Sequence, residues 1–117
     1  MQGAVSRALN TIYQVSTTRD AFVSYTDQMV TTATIAGGAQ GSIVLEISSS
    51  ASMAGAQTVA TFTNGQSFSL AVAIQGVQTL AACLAGFVPA GWYVRRRTVI
   101  TTGTPTFSAI GGQETLL

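Results

Sequence analysis

The sequence predicts an all-β fold, an antiparallel β-sandwich of the jelly-roll or immunoglobulin-like type with about eight strands. Apolar and polar residues alternate along most of the chain, which is the period of a strand with one buried face. Turn residues recur at intervals of roughly ten residues, as in sandwiches and barrels, and the 12 glycines supply many of them. No segment has a convincing helical period. A small barrel is the alternative architecture.

The first half of the chain contains three predicted elements. Residues 1–16 are interpreted as an N-terminal arm or strand, because Thr, Ile, Tyr and Val favour strands, although Ser6–Gln14 could also be helical. A strand follows over Ala21–Ile35, where the odd positions carry most of the apolar residues. Gly37-Gly38 ends it, and the next strand covers Ile43–Ile47.

The second half begins with a polar loop and continues with short strands. Small residues fill Ser48–Gln57, which we interpret as a loop. The predicted strands are Val59–Thr63, Phe68–Ile74, Leu80–Val88, Trp92–Thr101 and Thr106–Ile110. The predicted breaks after these strands are Asn64-Gly65, Gly76, Pro89–Gly91, Gly103–Pro105 and Gly111-Gly112. No repeat or linker interrupts the pattern, so residues 1–117 are predicted to form a single domain.

The composition argues against several classes of function. Charged residues make up 8 % of the chain, against roughly 25 % in an average soluble domain. The net charge is +1 and histidine is absent, so we expect neither the basic surface of a nucleic-acid binder nor a transition-metal site. No cofactor-binding motif is present, and we expect no cofactor. The first residues do not resemble a signal peptide, and no apolar run is long enough to predict membrane insertion.

The residues that could support catalysis are few. The carboxylates Asp20, Asp27, Glu46 and Glu114 are interpreted as solvated groups in turns or on sheet faces. Cys83 lies in an apolar run and is interpreted as a small buried residue, since no histidine could activate its thiol. The sequence therefore predicts a protein that is not an enzyme.

A run of three arginines next to two aromatic residues is the candidate ligand or interface site. In a strand, Arg95 and Arg97 share a face with Tyr93, whereas Arg96 lies opposite with Trp92. One interpretation is that an arginine pairs with Glu46, Asp20 or Glu114, within the subunit or across an interface. The other is that the arginines and aromatic rings contact a sugar or a partner.

Several segments resemble a known family in the same order along nearly the whole chain. They are Arg7–Val23, Ile43–Ile47, Thr63–Gly65, Gly86–Arg95, Thr102–Phe107 and Gly112–Leu117. The chain thereby resembles small tailed-bacteriophage virion proteins and the C-terminal modules of phage tail fibres. Proteins of that family tend to have an aliphatic residue at the position of Arg96, so the charge there is a departure.

The resemblance implies a bacteriophage virion structural protein, a tail-fibre or tail-associated subunit that contacts the host surface. A capsid or collar decoration (cement) protein is the alternative, and a standalone lectin-like module is less favoured. The implied partners are other virion proteins and further copies of the chain, with a trimer favoured. A host surface glycan is a further candidate partner, which would meet Ser48–Gln57 and Trp92. The expected location is the virion, after synthesis in the host cytoplasm.

Overall fold

The structure is a computed structural model that describes residues 2–33, 39–66 and 76–117, and these residues form strands, turns and loops without a helix. The strands are β1 (Gln2–Val5), β2 (Tyr13–Gln14), β3 (Ala21–Ala33), β4 (Ala39–Ser48), β5 (Gln57–Gln66), β6 (Gly76–Val88), β7 (Tyr93–Thr102) and β8 (Thr106–Leu116). No helix in these ranges is long and apolar enough to cross a membrane. The predicted strand Phe68–Ile74 and the predicted break at Gly37-Gly38 lie outside the described residues.

The strands form two four-stranded antiparallel sheets packed face to face. Sheet I has the order β1-β8-β3-β6, and sheet II has the order β2-β7-β4-β5. The first strand pairs with the last, the second with the seventh, the third with the sixth and the fourth with the fifth. This is the pairing of one long hairpin rolled into two layers, which is a jelly roll. The predicted antiparallel β-sandwich is therefore confirmed.

The core lies between the sheets, where the inward residues of both layers meet. In β3 the odd positions point inward, as the alternation predicts, and Val23, Tyr25 and Met29 are almost fully buried. Sheet II contributes Ile43, Leu45 and Ile47 from β4 and Val94 from β7. The apolar side chains packed between the sheets are the main source of stability, because burial of apolar surface contributes roughly 25 cal/mol per Å².

Several predicted boundaries are wrong. Asn64 and Gly65 do not form a tight turn, since they lie within β5 and pair with Gly41 and Gln40 of β4. The last strand does not end before Gly111-Gly112. It continues to Leu116, with a change of pairing register near Thr26 of β3 that marks a β-bulge. Residues 49–56 connect β4 to β5, so the loop predicted over Ser48–Gln57 is confirmed.

The N-terminal residues pair with the chain's own sheets. Residues 2–5 form an antiparallel ladder with β8, and Tyr13 and Gln14 pair with β7. Residues 6–12 join these two strands without forming a helix. Cys83 was predicted to be buried, which is wrong: it is exposed, because its position in β6 places it on the outer face of sheet I, opposite Thr26.

Candidate functional site

The three consecutive arginines of β7 point to opposite sides of sheet II. Arg95 and Arg97 lie on the outer face with Tyr93, and Arg96 points into the sandwich with Val94, as the strand period predicts. In the ladder with β4, Arg95 lies opposite Glu46 and Arg96 lies opposite Leu45. The arginine run is therefore two separate sites rather than one continuous basic patch.

Arg96 forms a buried ion pair with Asp27 of the facing sheet. The two side chains are 3 % and 0 % exposed, and Arg96 Nη1 donates to Asp27 Oδ1. Arg96 Nη2 donates to the backbone carbonyl of Arg7, and the guanidinium carbon lies 4.6 Å from the centroid of the Tyr25 ring. Each of these contacts compensates for the removal of the arginine from water, which is costly without partners.

A second polar cluster lies beside this pair and connects three parts of the chain. Arg7, between β1 and β2, donates from Nε and Nη2 to the two oxygens of Glu114 on β8, at 2.9 and 2.8 Å. The Tyr25 hydroxyl donates to Glu114 Oε2 at 2.6 Å. Arg7 also lies over the Tyr13 ring, 4.7 Å from its centroid. The bidentate geometry fixes the N-terminal segment to the last strand.

Burial and hydrogen bonding shift the pKa values of these acids in opposite directions. Burial raises the pKa of Asp27 to about 6, and the attraction of Arg96 offsets only part of this effect. Burial also acts on Glu114, but hydrogen bonds from Arg7 and Tyr25 outweigh it and hold its pKa below the usual value. Asp27 Oδ2 is buried and has no hydrogen-bond partner among the described residues. A protonated Asp27 would carry its proton at an oxygen that is otherwise unpaired.

The outer arginines share one carboxylate. Arg95 Nη2 lies 3.0 Å and Arg97 Nε lies 3.2 Å from Glu46 Oε1. Of the three partners that the sequence offered for this run, Glu46, Asp20 and Glu114, the structure shows Glu46, which pairs with two of the arginines, whereas Arg96 pairs with Asp27, which was not among them. Glu46 itself is buried beneath them, although it lies on the outer face of its strand. Arg97 remains 44 % exposed, so this pair contributes little to stability.

Trp92, Tyr93 and the loop, which the sequence suggested as contacts for a sugar or a partner, are held by neighbouring residues of the chain. Trp92 is half-buried and packs against the core, and its backbone N–H donates to the carbonyl of Pro89 at 3.0 Å. Tyr93 pairs with Ser48 and Gln14 on neighbouring strands. In the loop over residues 49–56, Ser48 Oγ donates to the carbonyl of Ala54 at 2.6 Å, and Met53 is buried. These contacts hold the loop against the sandwich.

Three of the four carboxylates are not solvated, contrary to the sequence prediction. Asp27, Glu46 and Glu114 are buried, and the prediction holds only for Asp20, which lies beside β3 and accepts a hydrogen bond from Ala90. One signal could have identified Asp27. It occupies an odd position of Ala21–Ala33, where the apolar phase of the strand predicts a core residue. Arg96 likewise occupies an inward position of β7. An acidic and a basic residue at inward positions of two facing sheets are expected to pair, because a buried charge is costly without a partner.

All five arginines and all four carboxylates are engaged within the chain. Arg19, the arginine not yet described, donates from Nε to the carbonyl of Leu117 at 2.8 Å. Within residues 2–33, 39–66 and 76–117, no group of three or more His, Cys, Asp or Glu residues could hold a metal ion. The arrangement is that of charges used to join strands and sheets.

Comparison with known proteins gives a viral relative. No protein-family model matches the chain. Over 106 residues it is 35 % identical to "Uncharacterized protein 443R" of Invertebrate iridescent virus 6, covering 89 % of this chain and 4 % of that protein. The chain is thus similar to a short segment of a much longer viral protein. A solved structure, Eiger TNF from S. frugiperda, is similar at a TM-score of 0.48 with 18 % identity, over 87 % of this chain and 61 % of that one.

Proposed function

We propose that this chain is a non-enzymatic structural module of a virus particle and that it works by packing against other protein subunits, copies of itself included. The observation that carries the proposal is the use of its charges. Every arginine and every carboxylate side chain is bound within the chain, between the sheets, on the outer face of sheet II or in the loops. Acid–base catalysis needs a titratable group directed at a substrate, and the chain's carboxylates are directed at its own arginines and backbone.

The viral part of the proposal is supported by two similarities. The chain is 35 % identical to a segment of an iridescent virus protein, and its sequence resembles phage virion and tail-fibre modules. A module that corresponds to 4 % of a long relative fits a building unit better than a self-contained enzyme. The finer proposal is a tail-fibre or tail-associated subunit in contact with the host surface, and the alternative is a capsid or collar decoration protein.

The proposal is tested by locating the chain in purified particles. We expect mass spectrometry to detect it in gradient-purified virions, and antibody–gold labelling to place it at a repeated position on the particle. Gold at the fibre or tail would support the tail-associated form, and gold on the capsid or collar would support the decoration form. Antibody pre-absorbed with the purified chain is the control. Absence from purified particles, with a normal amount in infected cells, would contradict the proposal.

A further inference from the structure

The outer face of sheet I differs from the rest of the molecule in carrying no charge. The five arginines and four carboxylates of the chain lie in loops, between the sheets or on the outer face of sheet II, where Glu46, Arg95 and Arg97 form their cluster. The outward positions of β3 and β6 include Phe22, Ser24, Thr26, Cys83, Ala85 and Phe87, and further along the two strands Gln28, Val30, Thr79 and Ala81. A surface of this kind offers no charge by which an acidic or basic partner could be recognised.

Two large aromatic side chains are exposed on this face and lie next to each other. Phe22 of β3 is directly opposite Phe87 of β6 in the ladder, and the two are 48 % and 47 % exposed. Ile110, at the bulge of β8, is also exposed. Aromatic residues surrounded by small neutral ones, with charge depleted, are the composition of an interface core rather than of free surface.

A recess lies on the same face, where the chain has two consecutive glycines. Its volume is about 300 Å³, and it is lined by Ser24, Thr26, Ile110, Gly111, Gly112 and Gln113. The recess is left open on this face by Gly111, which lies opposite the outward residue Thr26, whereas a side chain at Gly112 would point inward. A Cβ at Gly112 would lie 2.6 Å from the Tyr25 ring, so a glycine is required there, whereas a Cβ at Gly111 would meet nothing within 4 Å. The face thus presents both protruding rings and a recess able to accept a large side chain.

We infer that this outer face of sheet I, around Phe22 and Phe87, binds the same face or a neighbouring surface of a second copy of the chain. A neutral face is complementary to a neutral partner, and a second copy of this chain, with 8 % charged residues, is such a partner. The strands β1, β8, β3 and β6 have 4, 11, 13 and 13 residues, and at about 4.8 Å between strands and about 3.3 Å per residue they give a face of roughly 650 Å². That is about what each partner buries in a standard stable interface.

This inference deepens the proposed function, and rests on it, by naming the surface and the occupant through which the module assembles. The test is sedimentation velocity of the purified chain over a concentration series from sub-micromolar to high micromolar. We expect the wild type to associate. Phe22→Lys and Phe87→Lys should weaken association by about a hundredfold or more, because each buries an unpaired charge. Thr61→Lys, which adds the same charge at an exposed position of β5 in sheet II, should associate like the wild type.

Cys83 provides a second readout on the same face, since it is the single cysteine of the chain and is exposed. We expect its reaction with a thiol reagent to slow as wild-type concentration rises, and to be independent of concentration in Phe22→Lys. Circular dichroism melts check that the variants are folded. A monomeric wild type throughout the series, or association and Cys83 protection that survive both lysine variants, would overturn the inference. Neither result depends on the particle-labelling experiment, so the two proposals fail separately.

Discussion

Arg96 of β7 and Asp27 of β3 form a buried ion pair between the two sheets. Each residue lies in the inward phase of its strand, so a slip of one residue in either strand would separate the pair and expose it. The pair therefore specifies how sheet I and sheet II face each other.

Arg96→Met should destabilise the protein strongly. It leaves Asp27 buried without its cation and also removes the hydrogen bond to the Arg7 carbonyl. Loss of one partner of a buried ion pair costs about 3–5 kcal/mol. The measurement is the free energy of unfolding in urea. Arg97→Met is the matched control, and because Arg97 is 44 % exposed, it should cost no more than about 1 kcal/mol. Equal losses of stability in the two variants would show that the buried pair of Arg96 and Asp27 contributes no more than the exposed contact of Arg97.

The double change Asp27→Leu with Arg96→Met should restore most of the stability lost in the single variant. Both charges are then removed, and packed apolar side chains in place of a buried ion pair are often neutral or stabilising by about 1–4 kcal/mol. A double-mutant cycle, with Asp27→Leu as the other single change, gives the coupling energy directly. If the double variant is as unstable as the sum of the two single changes, Asp27 and Arg96 do not act as a pair.

Asp27 should make the protein more stable as the pH falls from 7 towards 4. Its pKa is raised to about 6 in the folded state from an ordinary value of 3.8, so the folded chain binds a proton in this range that the unfolded chain does not. The stabilisation is complete below the unfolded pKa and is lost as the pH rises through about 6. At about 1.4 kcal/mol per pKa unit, it amounts to about 3 kcal/mol.

The measurement is the free energy of unfolding of the wild type minus that of Asp27→Asn, followed against pH. Taking the difference removes the contribution of Glu114, whose pKa is lowered and whose stabilisation is therefore lost at acid pH. Asp27→Asn also lowers the stability at every pH, because Arg96 loses its charged partner. Only the change of the stability difference with pH is therefore compared. A difference that does not change between pH 4 and 7 would contradict the raised pKa.

Gly112→Ala should be much more destabilising than Gly111→Ala. The new methyl group at position 112 would lie 2.6 Å from Tyr25 Cδ1 and 3.0 Å from the Ser24 carbonyl, whereas that at position 111 meets open space. Overpacking of this kind costs about 1–3 kcal/mol. Gly111→Ala, the control, should be neutral or slightly stabilising, because alanine reduces the conformational entropy of the unfolded chain. Thermal unfolding of both variants in the Phe22→Lys background excludes any effect of self-association. A Gly112→Ala variant as stable as the control would contradict the tight packing against Tyr25.

The alternation of residues was sufficient to predict the layers of the fold. The odd positions of β3 and the inward position of Arg96 follow directly from the period of two. The boundaries failed where tertiary contacts overrode local turn chemistry. Asn64-Gly65 has the composition of a tight turn, yet Asn64 is buried and its Nδ2 donates to the Met29 carbonyl across the sandwich at 3.2 Å. Gly111-Gly112 likewise lies within a strand that stays paired with β3, and the glycine at position 112 is required by packing, because a side chain there would collide with Tyr25.

The polar clusters could be predicted only in part, because their members are far apart in sequence. The sequence predicts only that one of the three arginines pairs with Glu46, Asp20 or Glu114, and the ladder of β4 with β7 is what places Glu46 opposite Arg95. Arg7 and Glu114 are separated by 107 positions, and nothing local relates a residue between two short strands to the last strand. Their partnership follows from the jelly-roll pairing of β1 with β8, which becomes known only with the fold.

Arg7→Met should release the N-terminal segment while leaving the rest of the sandwich folded. Arg7 supplies both hydrogen bonds of the bidentate contact to Glu114, and hydrogen bonds to a charged group contribute about 1.5–3 kcal/mol. Amide hydrogen exchange should become faster in β1, whose ladder with β8 is adjacent, and should stay slow in β3.

The pKa of Glu114 should rise in Arg7→Met, because the effect of burial would then be opposed mainly by the hydrogen bond from the Tyr25 hydroxyl. The carboxyl NMR shift of Glu114 followed against pH would measure this change. Arg19→Met, which removes a single exposed hydrogen bond to the Leu117 carbonyl, is the control. Unchanged exchange in β1 would mean that its backbone ladder with β8 holds the segment without Arg7.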